Sequence, residues 1–198
     1  MKDNEGQGII MGWIPTMDEA HALLREYMQD EALLRHAAAV AGVMRRFARR
    51  AGENEDYWGV VGLLHDMDYE QWPDEHCIKA GDLLRGRGVD ESIVHAVMSH
   101  GWQICADVEP TLYMEKVLYT IDELTGLINA TALMRPSKSV MDLEYKSLWK
   151  KYKTANFAAG VDRAIIERGC EMLGADLKEI IEETIQGMRE VANEIGLA

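Results

Sequence analysis

Apolar residues recur along this chain every three or four positions and almost never in strict alternation. That spacing keeps one stripe of a helix apolar, whereas a half-buried strand needs a period of two. The pattern predicts helices over about 17–29, 31–51, 54–67, 76–86, 90–100, 111–133, 142–153, 160–173 and 176–195. Local signals agree. Thr16 with Glu19 three residues on is a capping-box pair that opens the first helix. Gly52 and Gly174 stand where helices should stop, and Pro15, Pro73, Pro110 and Pro136 all fall between helices. The expectation is an all-α fold of eight or nine helices. It forms a single bundle over residues 16–198, preceded by a loose segment over residues 1–15.

Four histidines interrupt these apolar stripes. On the second helix Leu33, Val40, Met44 and Phe47 form one face, and His36 stands in it. His65 and Asp66 follow the apolar run Val60-Val61-Gly62-Leu63-Leu64. His76 shares a face with Ala80, Leu83 and Leu84, and His100 with Ile93, Ala96 and Val97. Asp122 lies among Leu118, Tyr119 and Thr125 on a helix apolar nearly all round. A buried carboxylate costs several kcal/mol unless it is paired or coordinated. One divalent metal site would satisfy all these groups, because it keeps carboxylates ionised and imidazoles neutral. His21, in a polar first helix, and His95, on another side of the helix of His100, read as ordinary structural histidines.

Composition narrows the partners. The chain has 198 residues and a net charge of -13, which argues against nucleic acid polymers and anionic membranes. No apolar run approaches the ~20 residues of a membrane span, and the N-terminus lacks the apolar core of a secretory signal. Three cysteines, odd in number and far apart, suit a reducing cytoplasm. The oligomeric state is open, a homo-oligomer included.

The dyad His65-Asp66 after GVVGLL, with His36 upstream and Asp122 downstream, resembles the HD superfamily of metal-dependent phosphohydrolases. HCIKAGDLL resembles that family's HPxxGAxxL helix start, and IVHAVMSHG the helix that follows it. Together these stretches cover about residues 31–128. DELTGLI and RPSK resemble a small bacterial branch of HD hydrolases. The resemblance implies an HD-domain helical bundle with His36, His65, Asp66 and Asp122 as one metal set. It adds His76 and His100 for a second ion, with Asp66 as the bridge. The sequence departs from the HDIG form at Met67-Asp68, and Gly101 replaces the second His of a double-His ending.

Imidazole with carboxylate suits Fe, Mn, Co, Ni or Zn, one ion or two. The leading reading is a phosphohydrolase in which metal-activated water attacks a small phosphorylated metabolite or nucleotide. Asp66, Asp68 and Glu70 are the expected catalytic carboxylates, the last two to orient water or protonate the leaving group. Residues 135–153 hold six basic side chains against Asp142 and Glu144, a local charge of +4. Arg135 and Lys138 there, and Lys116 on the rim, are the expected phosphate contacts. Arg45, Arg46, Arg49 and Arg50 read as surface charge at a helix C-terminus. Two alternatives use the same residues: a di-iron oxygenase, and a non-catalytic nucleotide-binding regulatory module.

Overall fold

Local capping decides where most helices begin. Thr16 Oγ1 accepts from Glu19 N–H at 3.3 Å while Glu19 Oε2 accepts from Thr16 N–H at 2.8 Å. This opens α1 (Met17–Tyr27). Asp30 Oδ1 caps α2 (Glu31–Ala51) through Ala32 and Leu33 N–H, and Asn54 caps α3 (Glu55–Leu64). The helices α4 (Ile78–Gly86), α5 (Glu91–Ser99), α6 (Tyr113–Leu133) and α7 (Tyr145–Tyr152) follow. The last two are α8 (Arg163–Leu173) and α9 (Leu177–Glu190). This computed structural model describes residues 12–198, and among them there are nine α-helices and no extended strand. The chain is all-α, as the periodicity predicts.

Two long helices organise the rest. At 21 residues each, α2 and α6 reach about 31 Å at 1.5 Å per residue. The flanks of α2 are covered by α3, α6 and α9, and those of α6 by α2, α5, α8 and α9. Helices α4 and α5 form a hairpin beside them. The core between is aliphatic and sulfur-rich, with Met28, Met44 and Met67 fully buried. Unbranched thioethers fill the irregular gaps between helices of unequal length.

The differences from expectation are local. The third helix stops at Leu64, short of 67, and residues 65–71 run as successive turns. The fourth starts at Ile78, because Cys77 takes a left-handed φ of 68°. The last ends at Glu190, where turns carry the chain on to Leu197. Most of the segment expected to be loose lies outside the described residues, but Trp13 is tied down. Its N–H donates to Gly88 O at 2.7 Å, and its carbonyl accepts from Asp90 N–H at 2.9 Å. The arginines read as surface charge are a clamp between helices. Arg46 reaches Glu183 at 2.6 Å and Glu190 at 2.7 Å, and Arg50 reaches Glu183 at 2.6 Å. Long-range pairing to α9 could not be seen from α2 alone.

Helices α6 and α8 meet at Gly169, where a Cβ would fall 2.7 Å from Thr120 Cβ and 3.0 Å from Thr120 Cα. Gly169→Ala should therefore cost about 1–3 kcal/mol by overpacking. Gly126→Ala would meet only Val161 at 3.7 Å, and should be neutral or gain up to about 1 kcal/mol. Urea midpoints check the pair. Equal midpoints would mean that α6 and α8 do not approach this closely.

Candidate metal centre

Five chain segments converge on one point. His36 comes from α2, His65 and Asp66 from the turn ending α3, and His76 from just before α4. His100 comes from the end of α5 and Asp122 from the middle of α6. His65 keeps helical dihedrals at the C-terminus of α3, φ −57° and ψ −39°, and Asp66 follows it in the turns that run to residue 71.

The two oxygens of Asp66 divide the imidazoles into two groups. Oδ2 lies 3.2 Å from His65 Nε2 and 3.6 Å from His36 Nε2. Asp122 Oδ1 completes that group at 2.9 Å from His36 Nε2 and 3.4 Å from His65 Nε2. Oδ1 of Asp66 lies 3.3 Å from His100 Nε2 and 3.4 Å from His76 Nε2. The Nε2 atoms of His76 and His100 are 3.2 Å apart.

The tautomers make this arrangement informative. His65 Nδ1 donates to Gly62 O at 2.8 Å, His76 Nδ1 donates to Asp68 Oδ1 at 2.8 Å, and His100 Nδ1 donates to Val97 O. In each neutral ring Nε2 then presents a bare lone pair to carboxylate oxygens or to another such nitrogen. His65 Nε2 is buried and has no hydrogen-bond partner. Facing lone pairs repel unless a cation sits among them. Donors about 2.1 Å from a common ion lie roughly 3.0–3.4 Å apart at the usual coordination angles, close to the separations here. The residues fit a metal.

Without an ion, protons must serve. Burial opposes charge on His65, but Asp66 and then Asp122 outweigh it and raise its pKa well above the usual imidazole range. Burial likewise opposes ionised Asp66, yet the charge of His65 and hydrogen bonds from His100 and His65 hold its pKa far down. Asp122 is lowered in the same way, against burial, by His65 and His36. His76 is raised against burial, by Asp68 first and Asp66 next.

A cavity of about 310 Å³ opens on the cluster. Its walls include Tyr69, Tyr119 and Glu123, with Ile104 and Cys105 from the loop after α5 and Val161 and Ile165 from the start of α8. Burial, then the charge of Asp122, pushes Glu123 up to about 7. Arg168 stands beside the cavity wall, donating to Tyr119 Oη at 3.0 Å and Gln103 Oε1 at 2.9 Å. A second cavity of about 340 Å³ lies on another side of His36 and includes Arg35.

The structure brings His36, His65, Asp66, His76, His100 and Asp122 together, and it moves the other expected residues elsewhere. Asp68 is fully buried and holds His76 Nδ1 and Ala80 N–H, so it orients a histidine and does not face the cavity. Glu70 is a correction. Its Oε2 accepts from Gln29 and Asp30 N–H and ties the α1–α2 turn. Arg135 is a correction too, held by Asp142 at 2.9 Å beyond the end of α6, about 20 Å along the chain axis from Asp122. Lys138, exposed in the same break, and Lys116, nearly two turns before Asp122, line neither cavity. The break turns toward the C-terminus instead, where Val140 N–H donates to Leu197 O. His95, expected to be structural, pairs with buried Glu115 at 2.7 Å. Sequence reasoning missed Tyr119, Glu123 and Arg168. Glu123 adjoins Asp122, but its place depends on α8, which no local spacing reveals.

A family model described as HD domain matches residues 33–149. The tRNA (cytidine(56)-2'-O)-methyltransferase of Picrophilus torridus is 24% identical over 180 residues, which cover 89% of this chain and 52% of that protein. The chain therefore spans about half the length of this curated relative. No solved structure matches it.

Asp68 offers a sharp check. Asp68→Asn removes the charge that supports His76, so binding of a second ion should weaken about 10- to 100-fold with the first little changed. Glu70→Ala should alter neither. Titration with Mn²⁺ or Co²⁺ against a competing chelator reads both constants. In the parent both affinities should rise with pH, because the raised pKa values of His65 and His76 make protons compete with the ion below them. Affinity that falls as pH rises would contradict the assignment.

Proposed function

The chain belongs to the HD domain family, and from that premise we propose that it is a metal-dependent phosphohydrolase acting on a small phosphorylated metabolite or nucleotide. In this reading His36, His65, Asp66 and Asp122 hold one divalent transition metal ion, and Asp66, His76 and His100 hold a second. The observation that supports it most is the division of the inward-facing Nε2 atoms between the two oxygens of Asp66.

Bound ions would supply a water acidic enough to give hydroxide near neutral pH, and positive charge for the phosphoryl oxygens. The chain's own residues do the rest. Gly62 O, Val97 O and Asp68 fix three imidazoles in the tautomer that ligation requires. Tyr69 packs edge-on against His76 at 5.1 Å between centroids and limits that ring's freedom. The cavity is large enough for a phosphomonoester of modest size, and Val161, Ile165 and Ile104 give it an apolar side for the leaving group. Arg168 does not itself line the cavity, but it donates to Tyr119 on the cavity wall and is the cation we assign to an incoming anion. No helix among the described residues is long and apolar enough to cross a membrane.

A phosphate-release screen over phosphomonoesters, nucleotides and cyclic nucleotides tests this, with Mn²⁺, Fe²⁺, Co²⁺, Ni²⁺ and Zn²⁺ in turn. At least one pairing should release phosphate or open a phosphodiester. Asp122→Asn should lower that rate at least about a hundred-fold. Arg168→Ala should raise KM about tenfold, the loss of one charge-assisted contact, while Arg135→Ala should match the parent. No turnover with any metal, together with dioxygen consumption by the iron-loaded protein, would replace this reading with the di-iron oxygenase.

A further inference from the structure

Two of the three cysteines meet at the rim of the same cavity. Cys77 Sγ lies 3.1 Å from Cys105 Sγ. Cys77 directly follows His76, is fully buried, and is held there by a left-handed backbone that a β-substituted residue seldom adopts. Cys105 is exposed in the loop that follows His100, and lines the cavity. That loop is a tight turn in which Ile104, Cys105 and Ala106 N–H all donate to Gly101 O at 2.9–3.0 Å. A Cβ at Gly101 would meet both sulfurs, so the glycine makes the room in which they face each other.

A thiol beside two metal-binding imidazoles invites the idea of a sulfur ligand, but the geometry speaks against it. Cys77 Sγ is 3.7 Å from His100 Nε2 and 3.9 Å from Nδ1. A sulfur nearly equidistant from both nitrogens lies against the side of the ring, not beyond the Nε2 lone pair. Its close partner is the other sulfur.

We propose that Cys77 and Cys105 form a reversible intramolecular disulfide that governs the His76–His100 side of the centre. The oxidant is a small-molecule disulfide, RSSR. The accessible Cys105 thiolate attacks one of its sulfurs, forming a Cys105–S–S–R bond and releasing RS⁻. Cys77 then gives up its proton and attacks the Cys105 sulfur, forming Cys77–S–S–Cys105 and releasing the second RS⁻. Two thiols are oxidised, and one disulfide is reduced to two thiols. Closure draws the sulfurs from 3.1 Å to about 2.05 Å and ties the residue after His76 to the loop that follows His100. The thiol chemistry stands whatever reaction the enzyme performs; the effect on metal rests on His76 and His100 being ligands.

Incubation with oxidised glutathione, then alkylation and mass mapping, tests the chemistry. Thiols alkylated after unfolding in denaturant should fall from three to one, leaving Cys170, with a peptide linking Cys77 to Cys105 that dithiothreitol releases. In Cys77→Ser, glutathione should stay on Cys105. Three alkylated cysteines, or a lasting glutathione adduct on Cys105 of the parent, would overturn the proposal. A Co²⁺ titration of the oxidised protein, in the absence of reductant, reads the consequence. The weaker site should lose about tenfold or more in affinity and recover it on reduction. Two unchanged affinities in cross-linked protein would overturn the control of metal while leaving the phosphohydrolase reading intact.

Discussion

Asp66 sits where four imidazole Nε2 atoms and a second carboxylate converge, three of those rings presenting a lone pair, and this arrangement needs a cation or protons to compensate it. The nearest donor separations are 2.9–3.6 Å, short enough that each acceptor feels the others strongly. Protons can hold the cluster together, as the raised His65 and lowered Asp66 show. They do so by charging groups that burial would keep neutral. A divalent ion does the same without that conflict, and the carbonyls and carboxylate behind the rings already orient them to receive it. Asp68 is buried behind this cluster, where it accepts from His76 Nδ1 and Ala80 N–H, and the two long helices α2 and α6 pack against each other beside it.

The scaffold supplies rigidity where the cluster needs it. His36 on α2 and Asp122 on α6 are fixed by helices packed along most of their length. The His65-Asp66 dyad depends on a run of turns, and these are held in place from outside. Glu70 grips the α1–α2 junction, and Asp68 grips the start of α4. Acidic residues near the dyad that invite a catalytic role therefore serve as framework. The α2–α9 arginine clamp holds the C-terminal half of α2, about three to four turns beyond His36.

Much of this was legible in the sequence because the signals were local or repeated. A period near 3.6 and the signals at Thr16, Gly52 and Gly174 located the helices, with errors at His65, at Cys77 and past Glu190, where turns replace the expected helix. Four histidines and Asp122 stood out because polar groups on apolar faces need a reason. The phosphate contacts were misread for a physical cause. A dense run of lysines and arginines reveals local charge, but not which way the chain turns after Arg135. Its break faces the C-terminus and Asp142, not the centre. Arg168 shares α8 with Arg163, Glu167 and Glu171 and gave no such local signal, and only the packing of α8 on α6 brings it to Tyr119 on the cavity wall.

In the proposed reading the carboxylate of Asp66 would be shared by two ions. Anomalous diffraction from crystals grown with Mn²⁺ tests it most directly. Two peaks about 3.5–4 Å apart, one on the His36–His65–Asp122 side and one on the His76–His100 side, are the predicted result. A lone peak away from Asp66, or none in a protein that binds Mn²⁺ in solution, would contradict it.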